Sequence, residues 1–373
     1  MSGAGALIGP RPTSSGVAAN GAALLTGGTY SVWRILFGLF LLVRFALLLG
    51  GAVSAGEVLW IALWTLGVAA AILLALGAFD RPAAAILAGL WLAVPFREPL
   101  ALPDSVAIVL LLLGTLFIPP APYGSVAARG RVDPAGSWRM PQPVVLVMWI
   151  ALATGYVHSL ARFPSIPLEL PDGAAKWIAW GGMLFVSLLL SPLLRPFAWA
   201  AILLVQLGLL AARHPFAAGP GMVFLHLFTF DPAWIPPREG RDEIVFYDGS
   251  CGLCHGFIRF LLAEDAAGTL RFAALQGDTF AALVPEEVRR TLPDSVVVRR
   301  ANGDVLVKSS AALHLLARLG GLWRAAGTVA GIFPKALLDR LYDGVAAVRY
   351  RVFGRKKDAC PLMPPALRKR FAG

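Results

Sequence analysis

The chain has 373 residues, 57% of them hydrophobic, with a mean hydropathy of +0.70 and a net charge of +11. Soluble domains carry roughly 45 to 50% apolar residues, so this composition excludes an ordinary soluble protein and points to the membrane. Its three cysteines, Cys251, Cys254 and Cys360, are too few and too odd in number for a secreted disulfide framework; they favour a reducing compartment with catalytic or metal-binding thiols.

Residues 1 to about 29 are rich in Gly, Ala, Ser, Thr and Pro, carry one charge, Arg11, and predict a disordered tail. The first apolar stretch carries Arg34 and Arg44 and lacks the cationic start and clean apolar run of a cleaved signal, so it reads as a retained helix. Apolar stretches then recur at 31–51, 58–78, 82–96, 104–119, 143–161, 177–194, 197–212 and 220–231. Each lies near the roughly 20 residues that cross a hydrocarbon core. The third and eighth are short, which predicts an all-α transmembrane helix bundle of seven or eight spans over residues 30–236.

Loop charge predicts the orientation, because cytoplasmic loops carry excess Lys and Arg. With eight crossings, one side receives Arg11, Arg81, Arg129, Arg131, Arg139, Arg195 and the basic C-terminal domain; the other receives Arg97, Arg162, Lys176 and Arg213. Both termini are therefore expected in the cytoplasm. Up to residue 240 there are thirteen basic residues against nine acidic, and beyond it twenty against thirteen, so each half is basic. The basic residues are scattered apart from Arg355 to Lys357 and Arg368 to Arg370, with no nucleic-acid motif. Anionic membrane lipid is thus the favoured partner of that charge and nucleic acid is not.

Past "DPAWIPPREGRDE" the pattern becomes that of a soluble domain, expected over residues 243–373. "EIVFY" predicts a buried strand, and the turn at Asp248 and Gly249 leads into a helix from about Cys251 to Ala263. "LRFAA" predicts a second strand and "DTFAALVPEEVRRTL" a broadly helical stretch. "SVVVRR" and "DVLVK" flank Asn302 and Gly303, a strong hairpin signal, and "SSAALHLLARL" predicts a helix capped by Ser309 or Ser310. The order β-α-β-α-β-β-α, with C-x-x-C where the first strand becomes the first helix, is that of an α/β thioredoxin-like domain.

A cysteine at a helix N-terminus gains a stabilised thiolate from unpaired amides and the helix dipole. Cys251 is the expected attacker in thiol-disulfide exchange, and Cys254, almost one turn on and expected to be more buried, the resolver. Asp248 reads either as a turn residue and helix cap or as a carboxylate that moves protons at the dithiol. His255 reads as a cation beside a thiol or as a solvated helix residue. Two rival readings remain: a c-type haem site through C-G-L-C-H, and a zinc or iron-sulfur site from Cys251, Cys254, His255 and Cys360. The β-run directly before the motif suits a strand-to-helix thiol site better than a helical cytochrome.

The blocks "YDGSCGLCHGFIRFL", "LRFAALQGD", "PDSVVVRRANGDVLVKSSAALHLLARLGGLWR" and "LYDGVAAVRYRVFGRKKDACPLMPPALRKRF" fall in order and resemble the DCC family of predicted thiol-disulfide oxidoreductases. That family is named for D-x-x-C-x-x-C, present here as Asp248, Cys251 and Cys254. The resemblance covers nearly all of residues 243–371 and implies a thioredoxin-like fold and dithiol chemistry on a disulfide or thiol substrate, with no cofactor required. It places Cys360 in the last block, as a third redox thiol or a packed one. Thioredoxins set a cis-proline before the third strand; here Pro293 comes early, so Ser295 is expected to line the site instead.

No cysteine lies in residues 1–240, so the bundle cannot relay disulfides across the bilayer, and electron exchange with the membrane would need a quinone or a partner protein. Ionisable or polar residues inside spans are functional candidates because charge there is costly. Arg34, Arg44, His158, Gln206 and His226 are the candidates: the arginines as snorkelling side chains, the others as interhelical hydrogen-bond partners, or together as a polar pocket for a quinone head group or lipid. "WRILFGLFLLVR" and "HLFTFDPAWIPP" resemble the HTTM group, related to vitamin-K-dependent carboxylases and DoxX-like proteins. Lys176 is the bundle's single lysine and sits at a span edge, so the resemblance implies an architecture and no carboxylase activity. The expected function is a membrane-anchored thiol-disulfide oxidoreductase; its alternatives are a lipid, quinone or solute binder with a redox-sensing thiol domain, and a c-type haem protein.

Overall fold

The computed structural model describes residues 25–97, 102–161, 174–211, 219–240, 243–355 and 365–372. The tail up to residue 24, Arg162, Arg213, Cys360 and the side chain of Lys176 lie outside the described residues. The chain packs as two units, one of residues 30–127 and 139–230, the other of residues up to 29, 128–138 and 231 onward.

The first unit is helical: α1 (Gly27–Ser54), α2 (Val58–Leu76), α3 (Asp80–Trp91), α4 (Leu102–Thr115), α5 (Gln142–Ala161), α6 (Ala174–Ser187), α7 (Arg195–Ala211) and α8 (Gly219–Phe228). A helix lies in each of the eight apolar stretches, but among the described residues only α1, α2 and α5 are both long and apolar enough to cross a membrane. Three candidate spans thus stand against the expected seven or eight. In the third and sixth stretches the α-helix stops at Trp91 and Ser187 and a 3-10 turn follows, while α7 runs through nearly all of its stretch with 17 residues. Gly77 ends α2 in a left-handed turn at φ 69°, and the third stretch closes in a separate 3-10 turn at Val94–Phe96. Outward-facing Leu47, Leu59, Leu146 and Leu204 are all more than half exposed, the surface that a lipid phase would cover.

Inside this unit, Asp104 on α4 accepts from Gly221 N at 2.5 Å and Met222 N at 3.3 Å, satisfying two free amides at the start of α8. Trp33 and Phe37 of α1 stack at 5.0 Å and meet Phe228 and Phe224 of α8. Trp33 Nε1 donates to Phe224 O at 2.9 Å, so the large ring is buried without losing its polar partner.

The other unit carries β1 (Ile244–Tyr247), α9 (Gly252–Glu264), β2 (Arg271–Ala274), α10 (Asp278–Leu283), α11 (Glu286–Thr291), β3 (Val297–Arg299), β4 (Val305–Val307), α12 (Lys308–Leu319), α13 (Gly321–Ala330), α14 (Lys335–Phe353) and α15 (Pro365–Arg368). The sheet order is β2-β1-β3-β4; β1 runs parallel to β2, and β3 antiparallel to both β1 and β4. β1 is central and buried on both faces. Val245 and Tyr247 pack with Ile258, Leu261 and Leu262 of α9, while Ile244 and Phe246 pack with Ala273 and Val284. The β3–β4 hairpin turns at Asn302–Gly303, where Gly303 has φ 89° and Asn302 Oδ1 accepts from Asp304 N at 3.1 Å.

Two expectations are corrected. The helical stretch after β2 is broken into α10 and α11 at Pro285, whose ring nitrogen has no hydrogen to continue the ladder. Neither Ser309 nor Ser310 caps α12; Val307 is the N-cap, and Ser309 Oγ donates to Asp339 Oδ1 on α14 instead. At the far end of α9, the buried Glu264 carboxylate accepts from Gly28 N at 2.8 Å, Trp323 Nε1 at 2.6 Å and Thr26 Oγ1.

Candidate active site

The site grows from one turn. β1 delivers Asp248 at its end, the chain turns at Gly249 and Ser250, and α9 begins with Cys251 as N-cap and Cys254 in its first turn. Cys254 N donates to Cys251 Sγ at 3.4 Å, so a helix-start amide points at sulfur. Both cysteines are free thiols.

Access to the two sulfurs is the reverse of the expected order. Cys251 is 0% exposed, whereas Cys254 is half-buried and lines a cavity of about 180 Å³. The cause is a strap of backbone from the end of α14. Gly252 N donates to Gly354 O at 3.2 Å, and Cys251 pairs with Arg355 in an isolated antiparallel bridge. A Cβ on residue 252 would lie 2.2 Å from Phe353 O, so only glycine admits backbone this close.

Asp248 is buried and closely held. It accepts from Ser250 N and Ser250 Oγ, each at 2.8 Å, from Gln276 Nε2 at 3.0 Å and from Tyr350 Oη. Burial pushes its pKa up, but these hydrogen bonds, led by that of Tyr350, hold it below the ordinary carboxylate value. Arg349 Nη2 stands 3.7 Å from Asp248 Oδ2, donates to Asp294 Oδ2 at 2.5 Å and reaches Tyr350 Oη at 3.0 Å. The Cys254 thiol moves the other way: burial, the hydrogen-bonded Cys251 sulfur and the Asp248 charge push its pKa up to about 12.

His255 spends Nε2 on Gly249 O at 2.7 Å, bracing the turn before the cysteines. Ser295 lines the cavity; its hydroxyl donates to Val296 O at 3.1 Å and accepts from Lys308 N at 3.4 Å. Among the described residues every peptide bond is trans, Pro293 included. Cys360 falls outside the described residues. The residues that sequence reasoning missed are Asp294, Gln276, Tyr342, Arg349 and Tyr350. One signal for them exists: Tyr342, Val345, Ala346 and Arg349 follow i, i+3, i+4, i+7 spacing, a single face of α14, and all four line the cavity.

The five bundle candidates divide among different partners. Arg34 is fully buried rather than snorkelling, with Nη1 3.3 Å from Asp80 Oδ2 and its Nε and Nη2 meeting no partner. His226 is fully buried too, its Nδ1 3.0 Å from Tyr156 Oη and its Nε2 2.9 Å from Trp199 O. Gln206 is buried on α7 with Nε2 unpaired, and Arg44 is half-buried on α1. His158 lines a cavity of about 350 Å³ walled by Ala107, Leu110, Ala151 and Leu225, and its buried Nε2 has no partner.

Residues 245–355 match the family described as DCC1-like thiol-disulfide oxidoreductases. The uncharacterized protein YuxK of Bacillus subtilis (strain 168) is 33% identical over 130 residues, 35% of this chain and 93% of that protein. The chloroplastic DCC family protein At1g52590 of Arabidopsis thaliana is 32% identical over 125 residues, 34% of this chain and 72% of that protein. No solved structure matches the chain. Through the strand, dithiol turn and helices just described, which fall within the matched residues, this chain belongs to the DCC1-like thiol-disulfide oxidoreductase family.

Proposed function

We propose that the chain is a membrane-associated thiol-disulfide oxidoreductase whose redox pair is Cys251 and Cys254, carried on a thioredoxin-like domain. The observation that carries this reading is the pair of free thiols at the start of α9, one of them open to an apolar cavity. The sheet supports it: four strands in the order β2-β1-β3-β4 with β3 reversed, and the dithiol at the end of central β1.

Cys254 is the sulfur that meets substrate. Its Sγ attacks a substrate disulfide, the substrate S–S bond breaks, and one substrate thiol leaves. Cys251 Sγ then attacks Cys254 Sγ and releases the second substrate thiol. The dithiol loses two electrons as the Cys251–Cys254 bond forms, the two substrate sulfurs gain them, and the two thiol protons end on the products. Cys251 Sγ accepts from Cys254 N at the start of α9, yet a sulfur sealed under backbone does not reach an external disulfide; it is placed to resolve the bond on its neighbour.

The test is turnover of a disulfide substrate by the purified protein in detergent. Cys251→Ser is expected to lose about 100-fold or more in turnover and to accumulate a mixed disulfide on Cys254. Full activity in Cys251→Ser would overturn the reading.

The three candidate spans support membrane anchoring, and the small, odd number of cysteines supports a reducing compartment for the C-terminal domain. A second reading assigns the bundle a quinone or lipid, favoured by the unpaired Nε2 of His158 beside its apolar cavity. Co-purified quinone that is lost in His158→Ala would support it, and its absence from the wild type would not.

A further inference from the structure

The cavity beside Cys254 has a composition that discriminates among disulfides. Its walls are mostly apolar, formed by Leu253, Phe257, Val296, Val345 and Ala346, and its volume is about 180 Å³. A cavity of about 150 Å³ holds a benzene ring, so this one takes a single ring or a short aliphatic arm. Its charged lining is Asp248, Asp294 and Arg349, two carboxylates against one guanidinium.

That guanidinium is already committed. Arg349 Nη2 is bound to Asp294 at 2.5 Å and Tyr350 at 3.0 Å, Nη1 lies 3.3 Å from Asp294 O, and Nε is sealed from solvent. Three of its five N–H bonds are thus spent inside the protein and the buried Nε is closed to a ligand, so an incoming carboxylate meets a guanidinium already shared with Asp294, in a lining of two carboxylates against one cation. Specificity here arises as much by rejection as by attraction.

We propose that this site selects neutral disulfides bearing an apolar group and rejects polyanionic ones, so that the substrate class is apolar-armed disulfides rather than charged peptide disulfides. The inference rests on the dithiol reading above. A doubly negative reagent held about 6 Å from one negative charge in water-like surroundings is disfavoured about tenfold.

The experiment uses the full chain in detergent with Cys360→Ser, reduced and mixed with 4,4′-dithiodipyridine, which is neutral, or with 5,5′-dithiobis(2-nitrobenzoate), a dianion. Each rate is divided by that of 2-mercaptoethanol with the same reagent. The expected preference for the neutral reagent is about tenfold or more, shrinking severalfold in Asp294→Asn, which releases Arg349. Ala346→Trp, which fills the cavity, is expected to slow the neutral reagent about tenfold while the circular dichroism spectrum is kept. A normalised preference near one in the unaltered site, or an unchanged preference in Asp294→Asn, overturns the selectivity. Loss of two mass units on reaction reports the intramolecular disulfide separately: its absence sinks the dithiol reading, and its presence with no preference sinks this inference alone.

Discussion

Cys254 and Asp248 stand in an electrostatic opposition that makes the site's chemistry depend on pH. The carboxylate is held charged by its donors, and that charge, with burial and the Cys251 sulfur, keeps the proton on Cys254 well into the alkaline range. In a Cys360→Ser background, alkylation at Cys254 is therefore expected to climb about tenfold per pH unit from pH 7 to about 10, since thiolate is the reacting form. Peptide mass spectrometry after timed iodoacetamide pulses measures it, and a plateau near neutrality would contradict the assignment. Asp248→Asn removes a raising charge and is expected to speed that alkylation severalfold at pH 8. Asp248, Cys251 and Cys254 were legible because their spacing is local. Arg349 and Tyr350 were not, because only the return of α14 to the end of β1 brings them beside Asp248. Tyr350→Phe is expected to cost about 1–2 kcal/mol by urea denaturation, leaving a buried carboxylate one donor short.

Regular elements were read correctly where propensity and burial agreed. β1, α9 and the Asn302–Gly303 hairpin followed from a buried apolar run, helical periodicity and a left-handed glycine. Errors arose where long-range partners decide, as when Ser309 leaves the capping role for Asp339. The same holds just before β1, where buried Glu243 ties the sheet to α12 through His314 Nε2 and Arg318 Nε, both at 3.1 Å. Burial raises the Glu243 pKa, but His314 and Arg318 bring it below the ordinary 4.5. A depressed carboxylate contributes stability that is fully present above its unfolded pKa and is lost as pH falls through the folded one. Glu243→Gln is thus expected to flatten the loss of stability below about pH 4.5 while costing about 1–3 kcal/mol at neutral pH, both read from denaturation midpoints. At α9, Gly252→Ala forces a Cβ against Phe353 O and is expected to cost about 1–3 kcal/mol in the same measurement.

For the whole molecule, composition pointed to a membrane, where the structure has three helices long and apolar enough to cross one, and the soluble pattern pointed to the domain after them. Span count was less legible, because hydropathy windows do not see the turns that shorten α3 and α8. A domain of this kind stands nearly alone in YuxK, which raises the question of whether residues 231–373 keep their fold when separated. Separation removes Thr26 and Gly28 and leaves buried Glu264 with Trp323 as its remaining side-chain donor. Glu264→Leu is therefore expected to destabilise the full chain yet stabilise that fragment, by about 1–3 kcal/mol in each case, as judged by urea midpoints. A shared sign in both would exclude this role for the carboxylate. The roof that Phe353 to Arg355 place over one sulfur also has a practical outcome for the chemist. With Cys360 replaced, iodoacetamide at alkaline pH should add to a single thiol of the native motif and to two in guanidinium, so the mass of the adduct separates folded from unfolded molecules.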